Sequence, residues 1–366
     1  MANKSLGSAK KERNDEYYTQ LVDIENELRH YSEQLNGKVV FCNCDDPFES
    51  NFFKYFAMNF NRLGLKKLIA TCYNPSAIAG SQLALFDIKP PLKKGMNKNT
   101  KHSYKIEITE VKDYDGSGST NLDDVKYLLK HGGNVLSLLK GDGDFRTNES
   151  VELLKQADVV ITNPPFSLLR EYIAQLITHN KQFIIVGSIH SLHYKEIFEL
   201  IKLNKLWLGY KPTGTDMLFN IPEEYAVELV ETKKEGSAYK IIDGVVMGRA
   251  AVIWYTNLDV AKRHENLTLF KKYTPEEYPK YDNLDAIEVN QAVNIPEDYD
   301  GYMGVFDSFL DKYNPDQFEL IGIPTGNSGK VIGVTKNYRG RTDISITRNG
   351  KTSCPYSRII IKKIKQ

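Results

Sequence analysis

The chain has 366 residues, 41% hydrophobic and 26% charged, a balance that excludes disordered and collagen-like chains. Single cores stop growing at roughly 250–300 residues, so two domains are expected. The formal net charge is +1, which excludes recognition by a global charge excess and leaves any nucleic-acid surface to cations sorted onto one face.

Leu21, Ile24, Leu28, Tyr31 and Leu35 recur at helical spacing, and Asn36-Gly37 ends that helix. Lys38 to Asn43 predicts a short buried strand, Ser50 to Leu63 an aromatic-rich helix stopped at Gly64, and Leu65 to Cys72 a second strand. Strand, helix, strand at this spacing is a βαβ unit. Residues 74–103, rich in Pro, Lys, Gly and Asn, read as a surface insertion, and Tyr104 to Val111 alternates as an exposed strand would. Helical patterns follow at Asn121 to His131 and Asn148 to Gln156, feeding the apolar run Ala157 to Ile161. After Pro164-Pro165 come a helix from Ser167 to Thr178, a buried strand Phe183 to Val186 and a helix near Tyr194 to Leu203. This alternation predicts an α/β fold with a doubly wound, mostly parallel, Rossmann-like sheet covered on both faces.

Beyond Leu206 glycines punctuate short segments before a strand at Ala251 to Tyr255. From Leu258 the chain is rich in Tyr, Asn, Asp and Pro, and it ends in short strands with turns such as Asn349-Gly350. One domain is therefore expected over 1–257 and a second over 258–366. Cys42, Cys44, Cys72 and Cys354 lack zinc-site spacing and read as free thiols of a reducing cytoplasm. The polar start does not match a signal peptide, and no apolar run approaches the ~20 residues of a membrane span. The seven histidines match no metal pattern, so no metal is expected to be required.

The sharpest chemical signal is Asn163-Pro164-Pro165-Phe166, directly after the apolar strand Asp158 to Thr162 and before a helix. Ligands of open α/β sheets bind outside the carboxyl ends of the strands. An exocyclic aromatic amine is a poor nucleophile because its lone pair is delocalised into the ring. The Asn163 side-chain oxygen and the Pro164 carbonyl can accept its two N–H bonds and aim the lone pair at a methyl donor. Pro165 stiffens the turn, and Phe166 can stack on an extruded base, offsetting part of the few kcal/mol that flipping costs. Pro-Pro alone is only a stiff turn; the complete tetrapeptide between strand and helix points to chemistry.

With these residues stand Asn14 to Gln20 (NDEYYTQ), Phe41 to Pro47 (FCNCDDP), Leu65 to Ala70 (LKKLIA), Lys140 to Arg146 (KGDGDFR) and Tyr278 to Asn283 (YPKYDN). Together they resemble the adenine-N6 DNA methyltransferases of the EcoRI modification type, nearly end to end. The resemblance implies a methyltransferase catalytic domain, S-adenosyl-L-methionine as cofactor and double-stranded DNA as partner. It also implies a monomer, a mainly C-terminal target-recognition region, and GAATTC or a related site. A cognate restriction endonuclease would act separately, or the enzyme would work alone or for a phage. It assigns Asp15, Tyr17, Tyr18 and Thr19 to the methionine end of the cofactor, where an acidic group can hold an ammonium and rings can face a sulfonium. Cys44, Asp45, Asp46 and Pro47 stand where the class usually has an Asp-Pro-x-x-Gly loop, here without glycines, and Asn163 also borders the cofactor. Asp144 and Phe145 match the pair that binds the cofactor's adenine. Arg339, Arg341 and Arg348 are the DNA-contact candidates. The rival readings are methylation of RNA adenine or a protein glutamine, and a DNA-binding relative that has lost catalysis.

Overall fold

The structure is a computed structural model that describes residues 18–44, 50–72, 103–132, 135–221 and 223–364. Apart from Ser103, the expected insertion at 74–103 lies outside the described residues. The chain forms two compact units, Met1–Ile189 with Thr215–Leu258, and His190–Gly214 with Asp259–Gln366. No described helix is long and apolar enough to cross a membrane.

The first unit opens with β1 (Tyr18–Thr19) and α1 (Leu21–Leu28); a 3-10 turn, Arg29–Tyr31, then divides the predicted helix from α2 (Ser32–Leu35). There follow β2 (Val39–Cys42), α3 (Asn51–Met58), β3 (Lys67–Thr71), β4 (Tyr104–Ile108), α4 (Leu122–His131), β5 (Leu136–Leu138) and α5 (Asn148–Gln156). Next come β6 (Val159–Thr162), α6 (Leu169–Thr178) and β7 (Gln182–Ser188). After α7 (Lys195–Lys202) and β8 (Trp207–Leu208), which belong to the second unit, the chain returns with β9 (Met217–Asn220) and α8 (Glu223–Glu231). β10 (Tyr239–Ile242), β11 (Val245–Ala250) and β12 (Val252–Thr256) complete it.

Within this unit the main strands run in the order β5-β4-β3-β2-β6-β7-β12. The central four, β3, β2, β6 and β7, are mutually parallel, while β4 and β12 run against their neighbours. Every residue of β2, β6 and β12 is buried, as expected of strands covered on both faces. The strand predicted as exposed at Tyr104 to Val111 is instead interior: β4 pairs with β3 and β5. Its alternation records one half-wet face, where Glu107 is ion-paired to Lys67 and Lys105 at 2.5 and 2.6 Å, against buried Tyr104, Ile106 and Ile108.

The connections β2-α3-β3 and β6-α6-β7 leave the centre of the sheet in opposite directions, so right-handed crossovers put their helices on opposite faces. Side chains agree. Trp254 of β12 meets Phe52 of α3 edge-on at 5.9 Å, whereas Leu169 of α6 lies over Gly187 on the other face, beside Tyr255. A Cβ at Gly187 would stand 2.6 Å from Leu169 Cδ2 and 2.8 Å from the Tyr255 ring. Gly187→Ala is therefore expected to cost about 1–3 kcal/mol by overpacking, read as a lowered melting temperature. An unchanged melting temperature would show that α6 can shift without cost.

Caps set several helix starts. Asn121 and Asp124 form a reciprocal capping box on α4, Thr147 caps α5 and Ser50 caps α3. A small antiparallel sheet, β1-β9-β11-β10, was hidden by the irregular sequence beyond Leu206. Its hairpin turns at Asp243-Gly244, both with positive φ of 50° and 81°.

The second unit carries β13 (Ala286–Glu288), β14 (Tyr302–Phe306), β15 (Phe318–Gly322), α9 (Gly326–Val331), β16 (Ile346–Arg348), β17 (Lys351–Ser353) and β18 (Arg358–Lys363). Its main sheet has the order β13-β14-β18-β15, and β16 and β17 form a hairpin at the expected Asn349-Gly350 turn. Tyr281, Leu284, Ala286, Val334, Ile344, Ile346 and Ile360 form a buried cluster. At its edge Glu288 accepts from Arg358 Nη2 at 2.9 Å and pairs with Arg348; Glu288 and Arg358 are buried. Arg358 also lies 3.5 Å from the centre of the Phe306 ring. Burial pushes the Tyr281 hydroxyl up to about 12, against the opposing pull of Arg358.

Candidate active site

The neighbours of β2 are β3 on one side and β6 on the other, so the chain reverses its direction of winding between β2 and β6. At such a switch point the loops after the two strands part and leave a crevice at their carboxyl ends. The loop after β6 begins with Asn163, and the loop after β2 begins with Asn43 and Cys44. Hydrogen bonds tie the loop after β2 to the end of β6 and to α6. Cys44 N donates to Thr162 Oγ1 at 3.3 Å, and the Tyr172 hydroxyl, from α6, donates to Asn43 Oδ1.

Asn163 is buried, with 7% of its surface exposed, and Pro164 and Pro165 are buried beside it. Phe166 is half-buried and opens a 3-10 turn, Phe166–Leu168, in which Leu168 N donates to the Pro165 carbonyl at 3.0 Å. Proline fixes φ and supplies no N–H, so the carbonyls of this segment are presented by a backbone with little freedom. The predicted tetrapeptide thus sits at the carboxyl end of a central parallel strand, held rigidly from both sides.

Thr19, the last of the N-terminal candidates, lies against the start of α3. Asn51, the first residue of α3, donates from Nδ2 to the Thr19 carbonyl at 2.8 Å, and β1 pairs with β9 at Thr19 opposite Phe219. Thr19 is buried, and its hydroxyl has no hydrogen-bond partner among the described residues. The Thr71 hydroxyl, ending β3, is likewise buried and unpaired. Asp15, Tyr17, Asp45, Asp46 and Pro47 lie outside the described residues, and Tyr18 is described only as part of β1.

Asp144 and Phe145 are placed beside α6. The Asp144 carboxylate accepts from Arg146 N, Nε and Nη2, the last at 2.7 Å, and those bonds, with nearby Glu171, raise the pKa of the Arg146 guanidinium. Phe145 is buried edge-on against Tyr172, ring centres 5.1 Å apart, and its carbonyl accepts from Gln175 Nε2. Any ligand using the Asp144 carboxylate would share it with Arg146.

Sequence reading missed Asn43, Thr162, Tyr172 and Arg146, the residues that brace the candidates. Tyr172 falls on the buried stripe of α6 with Leu169, Ile173 and Leu176 and looks like core, and Asn43, though inside the FCNCDDP segment, is given no role of its own there. Among the DNA-contact candidates, Arg339 and Arg341 are exposed in one loop of the second unit, whereas Arg348 is committed to Glu288.

The family described as Adenine-specific methyltransferase EcoRI matches residues 5–364. Over 98% of this chain and 96% of the relative, the sequence is 44% identical to the Type II methyltransferase M.EcoRI of Escherichia coli. It is 36% identical to the Type II methyltransferase M.MgeORF184P of Mycoplasma genitalium and 33% identical to M.MpnI of Mycoplasma pneumoniae, each over 97% of both chains. No solved structure matches it significantly. A rigid Asn-Pro-Pro-Phe segment at the switch point and matches running the length of the chain agree: the chain belongs to the EcoRI family of adenine-specific methyltransferases.

Proposed function

We propose that the chain transfers a methyl group from S-adenosyl-L-methionine to the exocyclic N6 of an adenine flipped out of double-stranded DNA, as the modification partner of a Type II restriction system. The observation that carries this reading is the buried, proline-stiffened Asn163 at the carboxyl end of β6, next to the loop after β2. Asn163 Oδ1 and the Pro164 carbonyl accept the two amine hydrogens and direct the nitrogen lone pair outward. Phe166 stacks on the extruded base. Direct transfer of the methyl group to the amine nitrogen needs no enzyme nucleophile.

The donor set suits the cofactor. S-adenosylmethionine carries no phosphate, and the loop after β2 begins without the glycines of a phosphate cradle. The buried, unpartnered Thr19 hydroxyl, fixed by Asn51 at the start of α3, offers a hydrogen bond to a ligand there, and Thr71 offers another. Asp15, Tyr17, Tyr18, Cys44, Asp45, Asp46, Pro47, Asp144 and Phe145 complete the proposed cofactor set. When bound, the cofactor supplies an electrophilic methyl on a sulfonium. We assign catalysis to residues 1–257 and target recognition to 258–366, in a monomer acting in the cytoplasm.

Expression in a bacterial host lacking adenine methylases, followed by sequencing that detects N6-methyladenine in plasmid DNA, tests the reading. Methyladenine confined to one short motif, with GAATTC the first to inspect, is the expected result. Unmethylated DNA from soluble protein that binds the cofactor would overturn it.

A further inference from the structure

The loop between α9 and β16 presents Lys336, Tyr338, Arg339 and Arg341 to solvent, and among the described residues none of the three cations is ion-paired. Such a cationic loop is ordinarily a solvated, wandering segment. Here its base is pinned by a buried amide. Asn337 Oδ1 accepts from Arg339 N at 2.8 Å and Arg341 N at 3.2 Å, and Asn337 Nδ2 donates to the Asp343 carbonyl at 3.0 Å. Two backbone bonds close the turn, Gly340 N to the Asn337 carbonyl and Asn337 N to the Arg341 carbonyl, each 2.8 Å, with Gly340 at φ +72°.

A second buried amide clamps the stems of the same loop. Asn283 Nδ2 donates to the Thr335 carbonyl at 2.7 Å and the Asp343 carbonyl at 2.9 Å, and Asn283 Oδ1 accepts from Ser345 N at 2.8 Å. Adjacent Asp282 accepts from Thr347 N and Oγ1, tying in the β16-β17 hairpin. The YPKYDN motif at Tyr278 to Asn283, which the catalytic reading leaves without a task, is thereby the scaffold of the loop. Asp343, the nearby acid, accepts from Gly326 N with one carboxylate oxygen and, among the described residues, forms no ion pair with the loop's cations. The Tyr338 ring lies 5.0 Å from the Arg339 guanidinium and carries it at the tip.

We propose that this clamped loop is a preformed contact to the phosphates of duplex DNA, with Arg339 and Arg341 as the touching groups and Asn337 and Asn283 as positioning residues. The inference rests on the proposed function above. Fixing the guanidinium-bearing backbone beforehand removes part of the ordering entropy that a free loop loses on binding.

The test compares wild type, the double variant Arg339→Gln/Arg341→Gln and Asn337→Ala as full chains. Readouts are binding of a fluorescent duplex bearing the methylated site at several salt concentrations, steady-state methylation, cofactor binding and melting temperature. The double variant is expected to bind DNA at least about 10-fold more weakly, with a salt slope smaller by about 2, one for each lost phosphate contact. Its melting temperature and cofactor binding should not change, because both side chains are exposed. Asn337→Ala, which keeps every charge, is expected to raise KM for the duplex with kcat and cofactor binding held. A wild type that leaves duplex DNA unmethylated overturns the underlying reading. A wild type that methylates DNA beside a double variant of equal affinity and equal salt slope overturns the loop assignment alone.

Discussion

Asn163→Ala should lose methyl transfer by about 10²–10³-fold or more in a single-turnover assay on duplex DNA, while cofactor binding by calorimetry stays within a few-fold of wild type. The side chain stands at the carboxyl end of β6 between a buried strand and two prolines, so its oxygen is already positioned when the target amine arrives. That preorganisation is what alanine removes. A loose acceptor would have to be ordered at each turnover, and water would compete for it; a fixed one acts at no such cost. Asn163→Asp keeps an acceptor in place and is expected to fall between alanine and wild type. Retention of a tenth or more of the wild-type rate by the alanine variant would show that the Pro164 carbonyl alone suffices.

The largest expected loss of stability lies elsewhere. Glu288→Ala removes the partner of two arginines, one of which, Arg358, is only 5% exposed. Burial already disfavours the charged guanidinium of Arg358, whose pKa is lowered chiefly by desolvation. Stripped of Glu288, that cation keeps Phe306, the Tyr356 carbonyl and the more distant charge of Asp307, but loses the carboxylate with which it is directly paired. Breaking a buried pair from one side costs about 3–5 kcal/mol. At roughly 2–4 °C per kcal/mol for a domain of this size, melting should fall by about 10 °C. Scanning calorimetry of the full chain checks this, and a change under 1 kcal/mol would mean that Arg358 escapes to solvent.

The parallel centre of the first unit was legible because burial on both faces leaves continuous apolar strands and the crossover helices carry clear stripes. α5, at Asn148–Gln156, matches its predicted span because Thr147 and the following apolar run mark both ends. β4 was misread as exposed since Glu107 and its lysines imitate the wet face of an edge strand. The small sheet of β1, β9, β10 and β11 was missed because two of its strands carry short or glycine-broken patterns and β1 has only two residues. At the site, Asn163 to Phe166 could be found from chemistry alone. Its braces, Tyr172 and Asn43, could not, because their roles arise from contacts between segments far apart in the chain. Asn337 and Asn283 escaped for the same reason: a buried amide that organises a loop looks, in one dimension, like any polar loop residue.

The pairing of Tyr18 with Asn220, and of β7 with β12 at Val252–Thr256, also bears on the order in which the molecule is made. A growing chain carries Asn163 to Phe166 out of the ribosome well before β9 and β12 exist. Until then β1 has no strand to join, and the long apolar edge of β7 is bare. Exposed strand edges recruit other chains, and contacts of such long sequence separation form slowly. A nascent chain stopped near Leu206 therefore holds the whole of Asn163 to Phe166 yet leaves an open strand edge, which favours aggregation. The enzyme matures only when its last sheet strand of the first unit closes the edge.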